Sequence, residues 1–127
     1  MSDEHETIAR DILASARNLL DRASAETSGL WPRAVVLLHR QALEVALKTY
    51  WSYKAPGTEE CSMRAQLLCL ERYLPDPSVA RRAHHAWTAL SRAAHFHPYE
   101  LSPTQEELRA WHEVVARTLD ATEEAWR

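Results

Sequence analysis

The sequence predicts an all-α protein, a single-domain up-and-down bundle of four to five helices spanning residues 1–127. Three observations lead there. Apolar residues recur at three- and four-residue spacing in five separate segments. Only two glycines are present, and the six prolines fall mostly between those segments. Hydrophobic content is 46% over 127 residues, enough for one buried core and too high for a disordered chain. No repeat, low-complexity tract or linker divides the chain.

The first helix is predicted over about residues 4–26, where Ile8, Ile12, Ala16, Leu19, Leu20 and Ala23 form one apolar face. Ser28 and Gly29 break it. Pro32 then fits the first turn of a second helix, where a missing N–H costs little, and the pattern runs to about Tyr53. Val35, Leu38, Ala42, Val45 and Ala46 make its inner face, and Arg33, Arg40, Glu44 and Lys48 a polar stripe. After the Ala55-Pro56-Gly57-Thr58 loop, Met63, Leu67, Leu68 and Leu70 mark a shorter helix near residues 60–73. Cys61 and Cys69 are placed in that helix, eight apart and hence about 12 Å, too far for a disulfide. They are expected to be reduced and half-buried.

Asp76 is a good N-cap with Pro77 at the first helical position, opening a fourth helix that reaches His95 or Phe96. Ala83, Ala86, Trp87, Leu90 and Ala94 form its core face. Residue 97 precedes a proline and is biased away from helical geometry, so the helix ends at or before it. Ser102-Pro103-Thr104-Gln105 is read as a capping box that starts the fifth helix, with Leu108, Trp111, Val115 and Leu119 as its apolar stripe.

Charge is unevenly placed. The net charge of −3 conceals a segment between Pro77 and Tyr99 with no Asp or Glu but with Arg81, Arg82, Arg92, His84, His85, His95 and His97. Residues 1–27 and 100–127 are acidic by contrast. On the fourth helix, Arg81, His85, Thr88 and Arg92 share one face opposite the apolar one. A concentrated cationic face suits an anionic partner held in a groove rather than broad coating of nucleic acid. Arg33 and His39 lie six apart on a helix and point in different directions, so they are set aside.

No apolar run of about 18 residues is present, and the start Ser2-Asp3-Glu4-His5-Glu6 is unlike a signal peptide, so a cytoplasmic protein without a membrane partner is expected. His95 and His97, with His84, His85, His39 or His112, are considered for a three-histidine zinc arrangement, but the i,i+4 histidine pair of helical metal sites is missing. No metal and no cofactor are expected, and no phosphate-binding glycine loop or triad-like Ser or Cys is seen.

The run Arg92-Ala93-Ala94-His95-Phe96-His97-Pro98-Tyr99 holds an arginine, a histidine and a tyrosine in Arg-x4-His-x-Tyr spacing. With the acidic turn and Gln105–Trp111 that follow, it resembles the signature of HEPN domains. The segment Arg33–Lys48 looks like the amphipathic helix that precedes the signature in such domains. The resemblance implies a helical bundle, usually a homodimer, that acts in many members as a metal-independent endoribonuclease of bacterial toxin–antitoxin or antiviral defence systems. It implies Arg92 and His97 as the catalytic pair and Tyr99 as a tyrosine open to modification by a partner nucleotidyltransferase. An antitoxin is the other partner implied. Ala93 departs from the pattern, since many active members carry a polar residue there. Arg81, His84, His85 and His95 are the candidates for contacts with further RNA phosphates. The alternative reading is a non-catalytic helical interaction or nucleotide-binding module.

Overall fold

The computed structural model describes residues 2–22, 31–95 and 101–125. These residues form five α-helices: α1 (Ser2–Asp21), α2 (Trp31–Lys54), α3 (Met63–Tyr73), α4 (Pro77–Ala94) and α5 (Gln105–Glu124). A single 3-10 turn, Thr58–Glu60, joins α2 to α3, and no strand occurs among the described residues.

The helix ends follow side-chain chemistry. Ser62 caps α3 by accepting from the Ala65 N–H at 3.2 Å. Asp76 caps α4 by accepting from the Ser78 N–H at 2.9 Å, with Pro77 next in line. The Ser78 hydroxyl, donating to the same carboxylate at 2.7 Å, and that N–H hold the Asp76 carboxyl below its usual pKa. The capping box of α5 is formed by Thr104 and Glu107, not Ser102: Thr104 accepts from the Glu107 N–H while the Glu107 carboxylate accepts from the Thr104 N–H. Pro103 therefore precedes the cap in extended chain. Gly57 sits at φ +105°, which its lack of a Cβ permits, and turns the chain into the 3-10 segment.

Four helices alternate in direction. Arg10 reaches Asp120 and Glu123 while Arg109 reaches Asp21, so α1 and α5 are antiparallel. His39 meets His112, and Leu47, Tyr50 and Trp51 share a cluster with Ala121 and Ala125, so α2 runs parallel to α5. Ala80 and Ala83 share a cluster with Ala121 and Ala125, and Leu90 shares the other with Leu108 and Val115, so α4 is antiparallel to α5.

The main core joins Ala9, Leu13 and Leu20 of α1, Val35, Val36, Ala42 and Leu43 of α2, Leu90 of α4, and Leu108, Val115 and Leu119 of α5. A second cluster at one end packs Leu67 and Leu70 of α3 against Tyr50 and Trp51 of α2 and Ala80 and Ala83 of α4. Trp51 is edge-on to both Tyr50 and Tyr73, with ring centroids 5.0 Å apart in each case. Burial holds the Tyr50 hydroxyl above its usual pKa. Between α1 and α5, Arg10 donates from Nε and Nη2 to the two Glu123 oxygens at 2.9 and 2.8 Å, a bidentate clamp that Asp120 completes and that raises the arginine's pKa. The last turn of α1 is capped from the same helix, because Gln105 Nε2 donates to the Leu20 carbonyl at 2.8 Å.

Several expectations are corrected. α1 begins at Ser2, earlier than predicted, and residues 23–26 of its predicted span lie outside the described residues. Ile8 is exposed, because the buried register of α1 is Ala9, Leu13, Ala16 and Leu20, and Ile8 lies to one side of it. Leu38, Trp87 and Ala94 are half-buried flank residues rather than core. Cys61 precedes α3, since the Ser62 cap starts the helix after it, and both cysteines are free and exposed. Leu68 and Cys69 fall on the face of α3 opposite the buried Gln66, Leu67 and Leu70, and Leu68 is exposed for the same reason.

Leu43 has no accessible surface in the centre of the bundle. Leu43→Ala should therefore lower the unfolding free energy by about 2–5 kcal/mol in urea denaturation, whereas Thr104→Ala, which removes only a cap, should cost about 1 kcal/mol.

Candidate functional site

The cationic face of α4 follows from its buried one. Ala80, Ala83, Ala86 and Leu90 are buried, at spacings of three and four, and they fix the rotation of the helix. Arg81, His85, Thr88 and Arg92 then emerge together, and all four are exposed. Thr88 turns its hydroxyl back to the His84 carbonyl at 3.0 Å. Arg81 approaches Glu71 of α3 at 3.7 Å, an exposed pair that solvent screens and that leaves the guanidinium available to other anions.

Arg92 is exposed in the last turn of α4. Its carbonyl accepts the His95 N–H at 3.3 Å, and His95 turns into extended geometry as the C-cap. The helix thus ends short of residue 97, whose place before a proline disfavours helical geometry. His97 and Tyr99 lie outside the described residues. Of the residues expected to contact phosphate, Arg81, His85 and Arg92 share one exposed face. His84 is half-buried beside it, and His95 is exposed at its end.

Three features escaped the sequence reading. Arg40 of α2, assigned to a polar stripe, lays its guanidinium carbon 4.9 Å from the centre of the Trp87 ring on α4. An arginine stacked on an indole covers apolar surface as well as carrying charge. Arg82 and Arg117 line one groove at the junction of α4 and α5. The third feature is a pair of buried histidines. His39 of α2 and His112 of α5 meet at 2.9 Å between Nε2 and Nδ1, with their rings edge to face at 5.1 Å. His39 has no accessible surface and His112 is 7% exposed. The His39 Nδ1 leans toward the Val35 carbonyl one turn earlier but makes no hydrogen bond of normal geometry.

A hydrogen bond between two ring nitrogens needs a lone pair on one of them, so a proton on each facing nitrogen would break it. Burial pushes His39 down to about 4, with repulsion from His112 adding to the effect. His112 is lowered as well, by burial first and then by Arg17 and Arg109, against the opposing pull of Glu113 and Asp21. No three His, Cys, Asp or Glu side chains converge to hold a metal among the described residues. No helix there is long and apolar enough to cross a membrane.

The folded protein keeps His39 neutral down to about pH 4, while the unfolded chain protonates it near 6.5, so the unfolded state binds more protons between those values. Stability should accordingly be full above pH 6.5 and fall as the pH drops toward 4, with His39 alone accounting for about 2 kcal/mol at pH 5. Urea titrations at pH 7.5 and pH 5.0 measure this, and replacing both rings in His39→Leu/His112→Leu should flatten the dependence. Compared with known proteins, the chain matches no family model, no curated protein and no solved structure.

Proposed function

We propose that the protein is a HEPN-like, metal-independent endoribonuclease, a toxin or defence component that acts as a homodimer. The observation that carries this reading is the acid-free, exposed face of α4, which ends at Arg92 with His97 five residues on in the sequence. An arginine supplies a permanent planar fork for phosphate oxygens, and a histidine exchanges protons near neutral pH.

In the proposed reaction His97 removes the proton of a ribose 2′-hydroxyl. The 2′-oxygen attacks the adjacent phosphorus, the bond from phosphorus to the 5′-oxygen breaks, and Arg92 stabilises the charge that grows on the non-bridging oxygens. The departing 5′-oxygen takes up a proton and leaves a 2′,3′-cyclic phosphate. One histidine cannot serve both sides of an in-line displacement, so the second protomer's motif supplies the acid. Arg81, His85 and His95 contact neighbouring phosphates, with half-buried His84 beside them. Tyr99 is the residue that a partner nucleotidyltransferase would modify, and an antitoxin covering the basic face would have the same silencing effect.

Incubating the purified protein with labelled tRNA and mRNA in EDTA tests this directly. Wild type should produce fragments ending in 2′,3′-cyclic phosphate, and Arg92→Ala and His97→Ala should each lower the cleavage rate at least about 100-fold without loss of helicity. A folded protein that leaves RNA intact would remove the catalytic reading.

A further inference from the structure

The junction of α4 and α5 holds an open groove of about 340 Å³ lined by Val79, Arg82, Glu113, Val114 and Arg117. That volume matches the smaller end of ligand pockets and suits one nucleotide. Arg82 and Arg117 come from different helices and both line it. Neither has an ion-pair partner among the described residues, although the groove also carries the Glu113 carboxylate. On α5, by contrast, Asp120 pairs with Arg10 and Arg109 with Asp21, both of α1.

We infer that this groove is a second binding subsite for single-stranded RNA, holding a nucleotide away from the cleaved bond with its phosphate between Arg82 and Arg117. The proposal rests on the RNA reading of α4. Two guanidiniums carried by two helices offer planar donor forks, which suit a phosphate with several acceptor oxygens. Val79 and Val114 supply an apolar wall for the ribose or the face of a base. Glu113 accepts from an exocyclic amino group of the base. A nucleotide offers all three complements at once, whereas an acidic peptide would set its carboxylates against Glu113.

Geometry connects the groove to the motif. Arg82 and Arg92 are ten residues apart on one straight helix, or about 15 Å. A stacked strand rising about 3.4 Å per nucleotide covers that span in roughly four nucleotides. His85 and Thr88, exposed on the same helix between the two ends, lie along the intervening path.

The test separates binding from cleavage by using a fluorescein-labelled, fully 2′-O-methylated 12-nucleotide RNA, which has no 2′-hydroxyl to attack. Its affinity is read by anisotropy across a salt series in EDTA. Arg82→Gln and Arg117→Gln should each weaken binding about 3–10-fold at low salt and reduce the slope of log affinity against log salt by about 0.7, the loss of one phosphate contact. Arg33→Gln, the same charge change at an exposed position on α2, should bind as wild type does. If Arg82→Gln and Arg117→Gln bind like wild type while Arg92→Gln binds weakly, the groove proposal falls and the RNA reading of α4 stands. If Arg33→Gln weakens binding as much as the groove variants, the association is general charge attraction and the proposal falls. If the folded wild type binds no RNA, the RNA reading itself fails and the groove falls with it.

Discussion

The close packing of α4 by its alanines is the constraint on which the rest depends. Ala80, Ala83 and Ala86 have at most 1% of their surface accessible, and they lie where α4 passes between its neighbours. Small side chains let α3 and α5 both approach the helix, so α4 is held from two sides and its rotation is fixed. Every polar residue on the helix is then assigned a direction. Arg81, His85 and Arg92 face solvent together, Arg82 turns to the α5 side, and Trp87 turns to Arg40 of α2. A larger residue at position 83 would push α3 or α5 away and change the directions of the whole cationic set.

How much of this was legible depended on which interactions are local. The helix starts were, because a capping side chain sits within three residues of the N–H it serves, as with Asp76 and Ser78. The α5 cap was placed two residues early because Ser102 and Thr104 have the same chemistry, and only the position of Glu107 chooses between them. The face of α4 was legible because leucine, alanine and arginine at helical spacing leave few rotations. Ile8 and Leu68 were misplaced for the opposite reason: a helix with apolar residues on more than half its circumference does not say which of them face the core. The groove between α4 and α5 had no signal in the sequence, since Arg82 and Arg117 are 35 residues apart and come to line it only through the packing of the two helices.

The histidine pair was partly legible. Val35, His39, Ala42 and Ala46 are one stripe of α2, and Leu108, His112, Val115 and Leu119 are one stripe of α5. A polar residue in the middle of an apolar stripe signals a buried partner, and two such interruptions in one small domain point to each other. Pairing with Arg33 hid this, because it invited a comparison along one helix when the partner was on another. The cost of burying two imidazoles is met by their mutual hydrogen bond and leaves Nδ1 of His39 poorly served. Leucine at both positions would remove that cost. In return the pair fixes the register of α2 on α5, because sliding either helix by one turn would strand a ring nitrogen in the core.

That register reaches the cationic face through one further contact. Arg40 follows His39 on α2, and it is Arg40 that lies over Trp87 of α4. The histidines set where α2 stands along α5, and Arg40 carries that position across to Trp87 of α4, five residues before Arg92. The buried, neutral part of the molecule therefore locates the exposed, charged part. An arrangement of that kind keeps a set of arginines at fixed spacing with little reorganisation when an anion arrives, which is the property that electrostatic binding of a phosphate chain rewards.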